Sequence, residues 1–198
     1  MASANLNVMI KAARKAGRSL VKDFREVENL QVSVKGAGDF VSKADQEAER
    51  IIKEELRVAR PNYGWLGEET GMEAGEDPTR RWIVDPLDGT KEFVQRRGDF
   101  TVNIAYVEDG VPLRGVVYAP AKGRLFYTAA DGGSVEETGP FGPEIGAIHA
   151  IGVNPTPDNR GLMVVASKSH RDAATDEYIA RYGVRDMTSA GSSLKFCL

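Results

Sequence analysis

Residues 82 to 90 read Trp82-Ile83-Val84-Asp85-Pro86-Leu87-Asp88-Gly89-Thr90, an apolar run that ends in two carboxylates three positions apart. The run predicts a short strand that stops at Asp85, because proline cannot donate to a sheet ladder. Gly89 allows backbone angles closed to other residues, so the chain should turn here. A tight turn would direct both carboxylates and the Leu87 carbonyl to one side, as oxygen ligands suited to Mg²⁺. A helix beginning after Gly89 would add free N–H groups for an anion.

The same residues allow a plainer interpretation, since aspartate, proline and glycine are common in surface turns. The upstream sequence favours the metal site. Glu68 and Glu69 follow the apolar residues 65–67 and precede a second turn-rich pair. A second source of carboxylates is therefore expected at the end of a second strand.

These two segments, W-I-V-D-P-L-D-G-T and the upstream G-E-E-T, resemble motifs of the inositol monophosphatase superfamily in order and spacing. Its members are magnesium-dependent, lithium-sensitive phosphatases related to fructose-1,6-bisphosphatase. The resemblance implies a layered α/β fold (αβαβα), with two helices on an antiparallel sheet. We expect an N-terminal α+β domain over residues 1–149 and the start of a C-terminal α/β domain over 150–198.

The resemblance also implies a metal centre with two or three Mg²⁺ ions. Glu68, Asp85 and the Leu87 carbonyl would hold one ion, and Asp85 and Asp88 a second. Glu69 matches a position that the family uses less.

The residues that would act on the phosphate follow from the same comparison. Gly89 and Thr90 would contact the phosphate, and Thr90 with Asp45, in V-S-K-A-D-Q, would polarise the attacking water. Lys35, in V-K-G-A-G-D, matches a position on a mobile loop near a weaker third metal.

The chemistry of phosphate esters supports these roles independently. A phosphate monoester is anionic, so a water nucleophile is repelled until cations neutralise the phosphoryl oxygens. No cysteine or serine nucleophile is then needed. The lone Cys197 lies between Phe196 and Leu198 and is expected to be a buried thiol.

Composition limits the possible partners and location. The 198 residues are 41% hydrophobic and 28% charged, with a net charge of −3. We therefore expect a globular chain with no general attraction to nucleic acid or to anionic membranes. One cysteine excludes an intrachain disulfide framework, and no apolar run is long enough to span a bilayer. A cytoplasmic location is expected, and the family is commonly dimeric.

Apolar residues spaced three and four apart predict an amphipathic helix over residues 6–24. Its basic face could meet a membrane, but a solvated face is the ordinary explanation. A strand over residues 30–34, a glycine-rich loop over 36–39 and a helix from Ser42 to Pro61 should follow, with Asp45 in the first turn of that helix. Residues 100–107, 113–118 and 125–128 predict antiparallel strands joined by tight turns.

The last quarter of the chain bears on the substrate. Residues 162–166 predict a buried strand, followed by S-K-S-H-R, and residues 189–195 read S-A-G-S-S-L-K. Each of these two polar segments alone would be interpreted as an ordinary loop or helix start. Together they resemble nucleotide-binding segments of 3'(2'),5'-bisphosphate nucleotidases. The resemblance implies that His170 lies near the nucleotide and that Ser192 and Lys195 lie near the retained phosphate. The K-E-F at residues 91–93 is similar to the same branch, whereas residues 1–80 resemble bacterial inositol monophosphatases.

Superfamily members carry a further W-D-x-A-A-like motif, whose aspartate completes the second metal site, and residues up to Leu198 do not include it. We therefore expect an incomplete second domain and second metal site, with an uncovered apolar end over residues 194–198. The leading hypothesis is removal of the 3'-phosphate of adenosine 3',5'-bisphosphate by metal-activated water. An inositol-1-monophosphatase and an inactive truncated or hybrid chain are the alternatives.

Overall fold

The computed structural model describes residues 4–29, 34–139 and 146–198, with the backbone alone for residues 27–29 and 34–40. In these ranges the chain forms four α-helices, ten strands and two short 3₁₀ helices. The α-helices are α1 (Ala4–Asn29), α2 (Val34–Ala59), α3 (Thr90–Val94) and α4 (Ala173–Ile179). The 3₁₀ helices are Pro120–Lys122 and Ser193–Cys197. The strands are β1 (Tyr63–Gly67), β2 (Gly71–Glu73), β3 (Asp77–Asp88), β4 (Thr101–Glu108), β5 (Val111–Ala119), β6 (Arg124–Thr128), β7 (Ser134–Thr138), β8 (Ala147–Ile151), β9 (Leu162–Ser167) and β10 (Val184–Ala190).

Among the described strands, eight form one sheet in the order β2-β1-β3-β4-β5-β6-β7-β8. The expected antiparallel pairing holds from β3 to β8, but β1 and β3 are parallel. The reason is that β2 reverses the chain between them, so β3 runs in the direction of β1. Strands β4 and β5 meet at a tight turn in which Asp109 and Gly110 both have positive φ, as a type I′ hairpin requires.

Helices α1 and α2 pack on each other and over the sheet, α1 against β4 and β5 and α2 against β3. This confirms the predicted amphipathic helix and the two-helix layer. Fully buried side chains fill the space between helices and sheet: Leu6, Met9, Leu20, Ile52, Leu56, Trp65, Trp82, Phe100, Ile104 and Leu125. Part of the basic face of α1 is paired rather than simply solvated, since Lys11 and Lys15 both contact Glu55 at 2.7 Å.

The start of α2 differs from the prediction. Its backbone is helical from Val34, so the expected glycine-rich loop over residues 36–39 is wrong. The predicted strand over 30–34 falls mainly on residues 30–33, which lie outside the described residues. The side chain of Lys35 also lies outside the described part of the chain, and its expected role stays a prediction.

After β8 the chain leaves the large sheet. Strands β9 and β10 pair in parallel around α4, in a separate two-stranded sheet. The predicted burial of β9 is mostly wrong, since only Ala166 of this strand is buried. We keep the domain boundary at residues 149/150 as a proposal, and the change of sheet after Ile151 supports it.

The apolar C-terminal segment is partly covered. Leu194 is buried against Ala119 and Phe126, contrary to the expectation of an uncovered end, whereas Phe196 is 81% exposed. Cys197 is half-buried, and burial raises the pKa of its thiol, which suits a packing role better than a nucleophilic one. No helix in the described ranges is long and apolar enough to cross a membrane.

Candidate active site

The parallel pair β1 and β3 brings Glu68 and Asp85 together. Gly67 lies opposite Val84 in the register, and the Glu68 amide donates to the Val84 carbonyl at 3.1 Å. The two acidic residues therefore follow neighbouring strand positions at the same edge of the sheet. In open α/β sheets this edge is where ligands bind.

The turn after Asp85 is a bulge within β3, which continues to Asp88, so the predicted end of the strand at Asp85 is wrong. Asp85 lies opposite Asn103 and Asp88 lies opposite Thr101, which leaves one extra residue on β3. A proline is tolerated there because a bulge interrupts the ladder. The Leu87 amide donates to Asp85 Oδ1 at 3.2 Å and so orients that carboxylate.

Asp45 reaches the same place from α2. The helix begins eleven residues earlier, at Val34, so the expectation that Asp45 lies in a first helical turn is wrong. A favourable helix dipole therefore does not explain it. Asp45 is only 7% exposed, and its Oδ1 atom has no hydrogen-bond partner among the described residues. A buried carboxylate left in this state is costly unless something neutralises it.

Burial, and after it the charges of neighbouring carboxylates, raises the pKa of two of these acids. Burial and then the charges of Glu69, Glu68, Asp85 and Glu49 raise the pKa of Asp45 to about 8. Burial, followed by the charge of Glu68 and a hydrogen bond with it, raises the pKa of Asp85 to about 7. We call Asp45, Glu68, Glu69, Asp85 and Asp88 the acidic cluster.

The acidic cluster fits a divalent cation by its chemistry. Its donors are hard oxygen atoms, it holds an unpaired buried carboxylate oxygen, and its negative charges face one another. As the side chains stand in the described ranges, no three acidic, histidine or cysteine groups are arranged to hold an ion. The side chains of the acidic cluster would therefore have to rearrange to hold a cation.

Gly89 and Thr90 lie beside this cluster. Gly89 has a φ of +93°, and helix α3 begins directly after it, as predicted. The Thr90 hydroxyl donates to the Leu87 carbonyl at 3.3 Å, so the expected water-polarising group and the expected carbonyl ligand are neighbours. Helix α3 has only five residues, which limits the contribution of its dipole.

A second group of predicted residues meets the first across a cavity of about 290 Å³. His170 follows β9, and Ser192 and Lys195 follow β10, at the carboxyl ends of parallel strands. The cavity is lined by Asp88, Gly89, Thr90, Lys91, Glu92, Ser167, His170, Gly191, Ser192 and Lys195. Lys195 Nζ donates to the Ser192 carbonyl at 2.7 Å, which places a cation on this wall.

Four residues that contact or adjoin the candidate site were not singled out from the sequence. Glu49 is fully buried and accepts hydrogen bonds from the amides of Glu69 and Thr70 at 2.8 and 2.9 Å, so it holds the Glu68–Glu69 turn. The Ser193 amide donates to Asp88, and buried Glu92 accepts from the Ser169 hydroxyl. Asp99 is contacted by Lys122 at 2.8 Å and by Lys168 at 3.6 Å. The only sequence signal was that Glu92 and Ser193 lie within the K-E-F and G-S-S-L-K segments.

The sequence of this chain matches a phosphatase family and two kinds of curated relative. A model of the inositol monophosphatase family matches residues 2–198. The chain is 56% identical over 132 residues to an inositol-1-monophosphatase of Mesorhizobium japonicum, covering 67% of this chain and 50% of the relative. It is 40% identical over 195 residues to the 3'(2'),5'-bisphosphate nucleotidase CysQ of Escherichia coli, covering 98% of this chain and 75% of the relative.

Solved structures agree with these sequence matches. The crystal structure of CysQ from Bacteroides thetaiotaomicron superposes with a TM-score of 0.79 at 32% identity, covering 98% of this chain and 75% of that one. The match spans about half the length of the inositol-1-monophosphatase relative and three quarters of the CysQ relatives. The expected α/β architecture is therefore confirmed.

Proposed function

The chain belongs to the inositol monophosphatase family, and on that premise we propose that it is a Mg²⁺-dependent phosphomonoesterase that removes the 3'-phosphate of adenosine 3',5'-bisphosphate. One observation carries the proposal. An acidic cluster with an unpaired buried carboxylate adjoins a cavity whose walls supply Gly89, Thr90, His170 and Lys195. Anionic metal ligands on one side and a cation on the other suit a phosphorylated small molecule.

Each residue has a role in this proposal. Glu68, Asp85 and the Leu87 carbonyl would hold one Mg²⁺, and Asp85 and Asp88 a second. When bound, Mg²⁺ neutralises phosphoryl oxygens and lowers the pKa of water. Thr90, held by the Leu87 carbonyl, and Asp45, buried beside Glu68, would orient the attacking water and accept its proton.

The cavity wall would determine which ester binds. His170 and Ser192 line the cavity together with Asp88 and Gly89 and would contact the part of the substrate that is not hydrolysed. Lys195 would offset the charge of a second phosphate, which adenosine 3',5'-bisphosphate carries and inositol 1-phosphate lacks. The similarity to CysQ over 98% of the chain supports the nucleotide.

Inositol-1-monophosphatase activity is the second candidate. The 56% identity over two thirds of the chain to an inositol-1-monophosphatase favours it. Homodimer formation and a cytoplasmic location stay predictions from the sequence.

Phosphate release with Mg²⁺ tests the proposal, with adenosine 3',5'-bisphosphate and inositol 1-phosphate compared at equal concentration. We expect faster release from the nucleotide and a loss of at least about a hundredfold in Asp85→Asn, because even residues that only hydrogen-bond to metal ligands change activity by about 10- to 100-fold when they are mutated. Asp77→Asn is the matched control, since Asp77 begins the same strand and its carboxylate contacts its chain neighbours Thr79 and Arg80. Equal release from both substrates would overturn the nucleotide assignment. No release from either by a folded protein would overturn the phosphatase.

A further inference from the structure

Resting on the proposed function, we propose that Glu92 is a positioning residue that fixes the wall of the substrate cavity. It would do so by holding the segment 167–170, which carries His170, against the segment that begins α3.

The first support is the burial of Glu92. It lies on α3, two residues after Thr90, and is only 3% exposed. A buried carboxylate is stable only when it is hydrogen-bonded. The hydroxyl of Ser169 supplies a hydrogen bond to its Oε1 atom, from a residue 77 positions later in the chain.

The second support is the close packing of the β10 loop on the same side chain. A Cβ atom at Gly191 would lie 2.6 Å from Glu92 Cγ, so only glycine lets this loop approach so closely. The start of the loop after β9 is also joined to the end of β10, because the Lys168 amide donates to the Ala190 carbonyl at 3.1 Å. Glu92 therefore contacts both segments that carry the predicted substrate residues.

The third support is that Glu92 belongs to the cavity wall. It lines the cavity together with His170 and Ser192. Its side chain accepts a hydrogen bond from Ser169 in the cavity wall. The charges that raise the pKa of Asp45 most are those of Glu69 and Glu68 in the acidic cluster. Loss of Glu92 should therefore disturb substrate binding more than metal binding.

Steady-state kinetics on Glu92→Ala tests this role. We expect KM for adenosine 3',5'-bisphosphate to rise about tenfold, the scale of one hydrogen bond to a charged group, while kcat changes less than about threefold. Glu92→Gln keeps an acceptor for Ser169 and should keep KM within about twofold. Ser169→Ala should raise KM similarly, and the double variant should add little, because both changes remove one contact.

Glu137→Ala is the matched control. Glu137 is equally buried, at 3% exposed, and bonds to Arg14 and Gly146, neither of which lines the cavity. It should lower the melting temperature without changing KM. Equal KM changes in Glu92→Ala and Glu137→Ala would show a merely structural role and overturn the inference, as would a Glu92→Ala effect confined to kcat.

Amide hydrogen exchange separates this inference from the proposed function, because it needs no substrate. Glu92→Ala should speed exchange in residues 167–171 and leave residues 82–88 unchanged. Unchanged exchange in 167–171 would overturn the positioning role even in an active enzyme. If Glu92→Ala exchanged faster in residues 167–171 but the wild-type chain hydrolysed neither substrate, the positioning role would stand and the proposed phosphatase activity would be rejected.

Discussion

The backbone amide of Ser193 donates a hydrogen bond to Asp88 Oδ2, although 105 positions separate the two residues. The Ser193 hydroxyl also contacts Thr101 at 2.8 Å and Asn103 at 2.7 Å, on the strand beside β3. One residue from the last segment of the chain thus fixes a proposed metal ligand and its supporting strand. The acidic cluster and the substrate cavity form one connected unit for this reason.

Removing the Ser193 hydroxyl should therefore weaken both the fold and the site. Ser193→Ala leaves the fully buried Thr101 without this partner, so we expect about 1–2 kcal/mol of lost stability. Chemical denaturation measures this change. Ser134→Ala, at an exposed position on β7, should change stability by less than about 0.5 kcal/mol. A neutral Ser193→Ala would show that the contact adds nothing to stability.

Glu49 holds the turn that carries Glu68. Glu49→Ala removes the acceptor for the amides of Glu69 and Thr70 and for the Thr70 hydroxyl, so we expect a loss of about 3 kcal/mol. Mg²⁺ binding should weaken at the same time, which titration calorimetry detects. Glu54→Ala removes an exposed glutamate of the same helix that pairs with Arg50, and it should cost less than about 0.5 kcal/mol. Similar losses in the two variants would contradict this role of Glu49.

Gly89 is required by both its backbone and its surroundings. Its φ of +93° disfavours any side chain, and a Cβ would lie 3.0 Å from the Asp99 carbonyl oxygen and 3.0 Å from Ser192 Cβ. We expect Gly89→Ala to lower the free energy of unfolding by about 2 kcal/mol. The rate of phosphate release should fall by more than the smaller folded fraction accounts for. Gly110→Ala is the control, since its φ of +78° is also positive but nothing lies within 4 Å. If the two variants behaved alike, crowding at Gly89 would play no part.

The stability of the metal-free protein should depend on pH. The pKa values of Asp45 and Asp85 are raised from 3.8 to about 8 and about 7 in the folded chain. Between about pH 4 and pH 8 the folded state therefore binds more protons than the unfolded state, and stability falls as the pH rises. Melting temperatures in EDTA should fall across this window, and Mg²⁺ should stabilise the protein most at its upper end.

Asp45→Asn provides the internal check on this pH dependence. It removes one ionising group, so the fall in melting temperature between pH 5 and pH 8 should become smaller, and the melting temperature at pH 8 in EDTA should rise. A metal-free wild type that gains stability over the same range would contradict the assigned electrostatics.

The sequence alone determined the parts of the fold that depend on local patterns. The apolar spacing of α1 and the turn residues between β4 and β5 specify their own conformations, because side-chain periodicity and positive φ are local properties. The W-I-V-D-P-L-D-G-T segment likewise identified Asp85, Asp88 and Gly89 as candidates, because its turn and its oxygen ligands lie within nine residues.

Only the tertiary structure decided how distant segments meet. The parallel pairing of β1 with β3 sets Glu68 beside Asp85, and it depends on the reversal made by β2 rather than on any residue in the motif. The early start of α2, the bulge that keeps Pro86 inside β3 and the contact of Ser169 with Glu92 were not evident from the sequence. Such contacts are set by packing between segments far apart in the chain, which local propensity does not encode.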